Sequence, residues 1–338
     1  MSRLRTEPRI VRAVTAGVRI PDGSDPSVHV WGDRYGGIRA YSHTVGGRCW
    51  MHLSGIASYS FDGAGNEVEA HPEPDVSDRL VCDVYRRTVV PMILQVHGYE
   101  VLHASAILMR QTVVAFCGIS ETGKSTLAYG LSRRNECRLW ADDALVFRAC
   151  ESGFGAVALP FSTRLREASA CFFGEHRPIH SANLGWDDFD GAIGPLMPVS
   201  AVCALVRDSE LETGHVVAVR RLPREESLVY AFTNANCFSF EDAARKKQTL
   251  EQYLAFTSQV PFYEVRFRPG FEHAERVVDD VARILKQLLP ACPDTQPGAA
   301  GESTEAELLA RRPAGRRSTI VNHGPGRQPA PAHAVSGE

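Results

Sequence analysis

The residues Gly118-Ile119-Ser120-Glu121-Thr122-Gly123-Lys124-Ser125 follow the pattern G-x-x-x-x-G-K-[ST]. Each fixed position has a physical reason. Glycines let successive backbone N–H groups curl around phosphate oxygens, a lysine ammonium offsets charge on the β and γ phosphates, and a hydroxyl ligates magnesium. At ordinary residue frequencies such a string arises by chance in roughly one chain of this length in a hundred, so its setting must decide. Before it, Thr112 to Cys117 is an apolar β run; after it, Ser125 to Leu131 is amphipathic. The loop therefore stands between strand and helix, as phosphate binding at a helix N-terminus requires. This predicts a Walker A cradle for ATP made of Gly118, Ser120, Glu121, Thr122, Gly123, Lys124, Ser125 and Thr126, with magnesium on Ser125. Glu121 departs from the pattern, because glycine is common there. A carboxylate beside phosphates repels them unless it turns to solvent or to a cation.

A second candidate is Leu139-Trp140-Ala141-Asp142-Asp143, an apolar strand ending in two carboxylates, eighteen residues beyond Lys124. Phosphoryl transfer uses a carboxylate near the magnesium and a group that takes the proton of the attacking hydroxyl. Adjacent aspartates supply both. Elsewhere an Asp-Asp pair is more often a turn or a helix N-cap; at a strand end downstream of such a loop, chemistry is the better reading. The third candidate is His103 in Leu102-His103-Ala104-Ser105-Ala106, fifteen residues ahead of Gly118. A lone strand histidine is usually a satisfied core or edge residue. Here a hydrogen bond from it would hold an aspartate and tune its basicity.

The elements that must position these groups form an α/β pattern. Strands are expected at Val101 to Leu108, Thr112 to Cys117, Arg138 to Ala141, Ala144 to Phe147, Gly155 to Leu159, Val199 to Val206, Val216 to Leu222 and Tyr263 to Phe267. Helices are expected at Lys124 to Leu131, Asp242 to Ala255 and His273 to Leu289, the last with one apolar face. Ahead of this core, residues 1–74 read as a β-rich module, with strands at Arg9 to Ile20, Val28 to Trp31, Gly37 to Tyr41, Cys49 to Leu53 and Ala57 to Phe61. Asp75 to His97 has near-helical apolar spacing that Pro91 must kink, and it stops at Gly98. Residues 75–289 form the α/β domain. Residues 290–338 are rich in Pro, Gly, Ala, Ser and Arg and are expected to be a disordered tail, with Arg311-Arg312 and Arg316-Arg317 as solvated pairs.

With 37 basic against 40 acidic residues, a net charge of −3, the 338-residue chain lacks a broad surface for nucleic acid. Its nine cysteines are scattered without a C-x-x-C pair, which fits reduced thiols rather than a metal cluster or disulfides. The first residues have charges but no apolar stretch of signal-peptide length, and no apolar run approaches a membrane span. A soluble, cytoplasmic protein is the expectation, with no nucleic-acid or membrane partner.

Taken together, the segment around His103, the loop Gly118 to Ser125 and Ala141-Asp142-Asp143 resemble the catalytic core of the HPr kinase/phosphorylase family. The resemblance is nearer still to that family's shorter relatives found beside lasso-peptide and other peptide-modification genes. Order and spacing match over residues 95 to 150. The resemblance implies a P-loop fold related to phosphoenolpyruvate carboxykinase and ATP-dependent phosphorylation of a serine hydroxyl on a protein or peptide, such as a lasso-peptide precursor. Carried over residue by residue, it implies that Lys124 holds the β and γ phosphates, Ser125 and Asp143 face the metal, Asp142 is the general base, and His103 pairs with it. Leu159 to Arg166 resembles a segment whose basic residues approach the active site, which makes Arg164 or Arg166 the candidate for transition-state charge. Homo-oligomers are common in that family. The glycine-rich downstream signature tied to phosphorylase activity is not found, and the N-terminal module does not match the family's regulatory domain. The competing reading is a non-catalytic ATP sensor, with carboxykinase chemistry ranked last.

Overall fold

Alternating strands between Arg9 and Pro72 build a six-stranded sheet. They are β1 (Arg9–Arg12), β2 (His29–Gly32), β3 (Ile38–Val45), β4 (Arg48–Leu53), β5 (Ala57–Asp62) and β6 (Glu67–Pro72), in the order β1-β6-β5-β4-β3-β2. The computed structural model describes residues 9–12, 29–32, 38–45, 47–62, 67–134, 136–151, 153–159, 165–175, 196–212, 214–236 and 243–289. The rest of the predicted Arg9 to Ile20 strand, Arg164 and the predicted tail lie outside them. Strand β6, which is not among the strands expected from the sequence, pairs with β5 from Pro72 to Val68. Its sequence, Glu-Val-Glu-Ala-His-Pro, has polar residues at every second position, and only Val68 and Ala70 face the core.

The period of two sends Met51, Tyr59, Phe61, Val68 and Ala70 to one face of this sheet, where they are buried against a helical segment. That segment is α1 (Asp78–Val84), one π-helical turn over Tyr85–Val89, and α2 (Val90–Val96). The predicted kink is absorbed just ahead of Pro91, which has no N–H to donate: the wider turn is closed by a hydrogen bond from Val90 N to Tyr85 O. The opposite face of the sheet stacks rings, with His52 4.5 Å from Tyr41 and 5.0 Å from His43, and Trp50 5.3 Å from His71.

From Glu100 onward the chain builds a nine-stranded sheet. Its first part is β7 (Glu100–Leu102), β8 (Ala104–Met109), β9 (Thr112–Cys117), α3 (Lys124–Ser132), β10 (Cys137–Ala141), β11 (Leu145–Cys150), β12 (Gly153–Val157) and α4 (Glu167–Phe172). Then come β13 (Leu196–Arg207), β14 (Val217–Arg221), α5 (Arg224–Thr233), α6 (Ala243–Gln259), β15 (Phe262–Phe267) and α7 (Phe271–Leu288). Strand order is β10-β8-β9-β13-β12-β11-β7, with β15 beside β13 and β14 beside β15. One face is covered by α3 and α7, through Leu127, Leu131, Val278 and Val281; the other by α5 and α6, through Ala231, Tyr253 and Phe256. The central strands are buried on both faces, which is why they read as unbroken apolar runs. The mixed α/β class is as the sequence predicts. Among the described residues, no helix is long and apolar enough to cross a membrane.

Two departures bear on the site. The strand predicted over Val101 to Leu108 is divided at His103: Leu102 pairs with Leu145 of β11, whereas Ala104 pairs with Cys117 of β9. Strand β13 also serves two sets of partners. Leu196 to Pro198 pair with β12, and Val199 onward pairs with β9, with a register irregularity between Val199 and Ala201, so the sheet curls there.

Candidate active site

Parallel strands β9 and β13 end at the same edge of the sheet, and the loop leaves β9 there. Gly118 has φ 142°, and a Cβ on it would lie 3.0 Å from the carbonyl oxygen of Leu205 in β13, so only glycine fits. Gly123 closes the loop with φ 108° as the N-cap of α3. Between them, Glu121 adopts φ 71°, a left-handed conformation that costs a residue with a Cβ about 1 kcal/mol. Its carboxylate forms an exposed ion pair with Arg166 at 3.1 Å. Of the two escapes open to this residue, solvent or a cation, the structure shows the cation.

Lys124 is buried at the first position of α3 and donates to the carbonyls of Gly118 at 3.0 Å and Ile119 at 3.3 Å. Burial pushes its pKa down, against the nearby charges of Asp143 and Asp142. The side chain of Thr122 is turned inward onto the Ile119 carbonyl, and Thr126 Oγ1 lies 2.9 Å from Ser169 Oγ. Ser120 is exposed at the tip.

The two aspartates are held differently. Asp142 is buried, and its Oδ1 accepts from Ser125 Oγ and from Ser105 Oγ, each at 2.8 Å. A register shift in β10 between Leu139 and Ala141 immediately precedes it. Asp143 turns with φ 66°, which leaves its carboxylate about half exposed, with Oδ2 3.1 Å from Arg87 Nη1. The resemblance pairs His103 with Asp142, but the hydrogen bond its ring makes goes to the next residue. Its Nδ1 lies 3.0 Å from the main-chain oxygen of Asp143. A carbonyl oxygen can only accept, so Nδ1 carries the proton and Nε2 is the acceptor nitrogen of the neutral ring. Burial, then the Lys124 charge, lower the pKa of this histidine, while both aspartates oppose the shift. The break between β7 and β8 explains the pairing: the turn at His103 faces the Asp142-Asp143 turn, where β11 begins.

His103, Ser120, Glu121, Lys124, Ser125 and Asp143 line one pocket of about 410 Å³, with Arg166 at its wall. The Ser125 hydroxyl lines this pocket and the buried Asp142 carboxylate bonds to it from behind, hard oxygen donors of the kind magnesium prefers, so the pair suits the predicted ion. Four contributors were not assigned from sequence. Sequence alone gives Ser105, two residues from His103, no role of its own, although its hydroxyl reaches Asp142. Arg87 reaches Asp143, and Arg207 donates to the carbonyl of Thr122 at 3.3 Å. Asn234, at the end of α5, accepts from the buried Gly118 N–H at 3.0 Å, while its own carbonyl accepts from His103 N at 2.7 Å. Only Ser105 carried a signal, two residues from His103; the others are brought in by tertiary folding.

No protein-family model matches the chain, and no curated protein matches it. Among solved structures it is similar to the HPr(Ser) kinase/phosphatase from Coxiella burnetii, with 12% identity, covering 55% of this chain and 98% of that one, at a TM-score of 0.27. At that score the likeness leaves function to be read from the residues.

Proposed function

We propose that this chain is an ATP- and magnesium-dependent kinase that transfers the γ-phosphoryl group to a hydroxyl, a serine of a peptide or protein such as a lasso-peptide precursor. The observation that carries the reading is the 2.8 Å bond between Ser125 and Asp142 beside a 410 Å³ pocket lined by Lys124, His103 and Asp143. A glycine-turned loop, a buried ammonium, a hydroxyl backed by a carboxylate and a second carboxylate facing the cavity are the parts that phosphoryl transfer needs. Backbone N–H groups of Ser120 to Gly123 and the Lys124 ammonium bind and orient the phosphates. Ser125, with Asp142 behind it, would hold magnesium, which would supply charge neutralisation on the phosphate oxygens.

The hydrogen bonds favour exchanging the roles that the resemblance implies for the two aspartates. Asp142, engaged by two hydroxyls, belongs to the metal side. Asp143, half exposed in the pocket, accepts the proton of the acceptor hydroxyl, with His103 holding its main chain and Arg87 its carboxylate. Arg166 lines the pocket and, once released from Glu121, is placed to stabilise charge on the transferring phosphoryl group.

The test compares Asp142→Asn and Asp143→Asn using γ-labelled ATP and serine peptides. Asp143→Asn is expected to bind magnesium nucleotide and to lose transfer by at least about 100-fold. Asp142→Asn is expected to weaken the magnesium dependence of binding. Wild-type transfer retained in Asp143→Asn removes it as the base. Nucleotide binding without transfer to any hydroxyl by the wild-type protein returns the chain to the sensor reading.

A further inference from the structure

A second cavity, of about 240 Å³, opens on the other side of the loop's last glycine. It shares Gly123, Thr126, Ser169, Arg207 and Phe271 with the larger pocket, so the two meet along a common wall. Their chemistry differs. The larger pocket contains Lys124, Ser125, His103 and Asp143; the smaller contains none of these. Its interior is formed instead by Leu127, Phe173, Phe267, Pro269 and Val277. A Cβ on Gly123 would sit 3.8 Å from Cζ of Phe267, which puts that ring directly behind the loop. Arg268, also on the wall, is fixed: Nε donates to His215 O at 3.1 Å and Nη2 to the carbonyls of Leu211 and Glu212.

We infer that this smaller cavity is the nucleobase pocket of the bound nucleotide, with adenine stacked on Phe271. The inference rests on the reading of the loop as a phosphate cradle and adds where the other end of the ligand goes. Size is the first reason. At about 240 Å³ the cavity falls below the roughly 300–1,000 Å³ of sites that take a whole small molecule, but a planar base fits it. Direction is the second. Asp143 and His103 mark the transfer end, Lys124 and Ser125 the middle, and Thr126 and Leu127, next along α3, lead into the aromatic cavity. Phe271 is the third. This ring is 42% exposed although it lines both cavities and lies 5.2 Å from Phe172, which leaves a face for a second planar group.

Isothermal titration of the full chain with magnesium and either ATP or inorganic tripolyphosphate separates the two ends of the ligand. Phe271→Ala is expected to weaken ATP about tenfold and to leave tripolyphosphate unchanged, the scale of one base–aromatic stack. Phe271→Trp should keep ATP binding at the wild-type level. Because Phe271 is partly exposed, truncation should leave the melting temperature of the chain near that of the wild type. Unchanged ATP affinity in Phe271→Ala overturns the pocket assignment. So does equal weakening of both ligands, which would report a disturbed loop. Wild-type protein that binds tripolyphosphate as tightly as ATP overturns the base pocket alone; wild-type protein that binds neither overturns the phosphate cradle beneath it.

Discussion

The six-stranded sheet and the nine-stranded sheet each bury a histidine whose pKa is pushed down, and the two are put to different use. His52 is 2% exposed, stacked between Tyr41 and His43, with Nδ1 2.7 Å from Ser58 Oγ. Burial lowers it to about 4, and the neighbouring His43 and His71 add to the shift. His103 is mostly but not fully buried, its shift is partly opposed by two aspartates, and it lines a 410 Å³ pocket. A depressed histidine by itself is thus a sign of burial. What distinguishes a site is a cavity on one side and a fixed tautomer on the other. His52 stabilises a stack of rings, whereas His103 holds the backbone of a carboxylate that faces a cavity.

The contrast can be broken most sharply with acid. A histidine with a folded pKa near 4 takes up a proton more readily once unfolded, where its value is near 6.5. Its stability is therefore fully present above about 6.5 and lost as the pH falls towards about 4, by up to roughly 3 kcal/mol. The charges that add to this shift come from β3 (His43) and β6 (His71), and Glu69 lies 3.8 Å from His71 and 3.2 Å from Arg48. Melting curves between pH 7.5 and 4.5 should show a steeper loss for wild type than for His52→Gln, with ATP affinity at neutral pH the same in both. Parallel slopes would show that the stack is not the acid-labile element.

On the site's side, Asn234→Ala leaves the buried Gly118 N–H without its acceptor, at a cost of about 1–3 kcal/mol. The expected readouts are a melting temperature lower by a few degrees and weaker ATP binding, and only the second separates it from the effect of a lesion in the N-terminal sheet. The smallest effect is expected at Glu121→Gly, which removes a left-handed residue with a Cβ and a negative charge beside the cradle. ATP should bind a few-fold tighter, and the gain should shrink with added salt. Unchanged affinity would mean that the Arg166 pair already neutralises this carboxylate.

The local features of the site were legible because they are contiguous. Thr112 to Leu131 carries its strand, its loop glycines and its helix in one stretch, and Asp142-Asp143 closes the apolar run of β10. What was not legible is pairing. Nothing in the alternation of Val101 to Leu108 says that its first residues belong with β11 and its last with β9, so the break that aims His103 at Asp143 was invisible. Helix α5 was missed because Arg-Glu-Glu-Ser opens it and few of its residues are buried, yet it delivers Asn234 across a separation of 116 residues. The role expected for His103 was shifted by one residue for the same reason: main-chain contacts such as that to the Asp143 carbonyl leave no trace in residue type.

Strand β13 sets the terms on which this molecule can come apart. Its first residues are bonded to β12, its later ones to β9 and β15, and Leu205 lies against Gly118. An opening that frees Val202 to Leu205 for amide exchange must separate the strand that launches the loop from the strand that backs it. The loop therefore shares the unfolding free energy of the sheet's centre instead of fraying on its own, and the slowest-exchanging amides of the chain should be found beside its most reactive side chains.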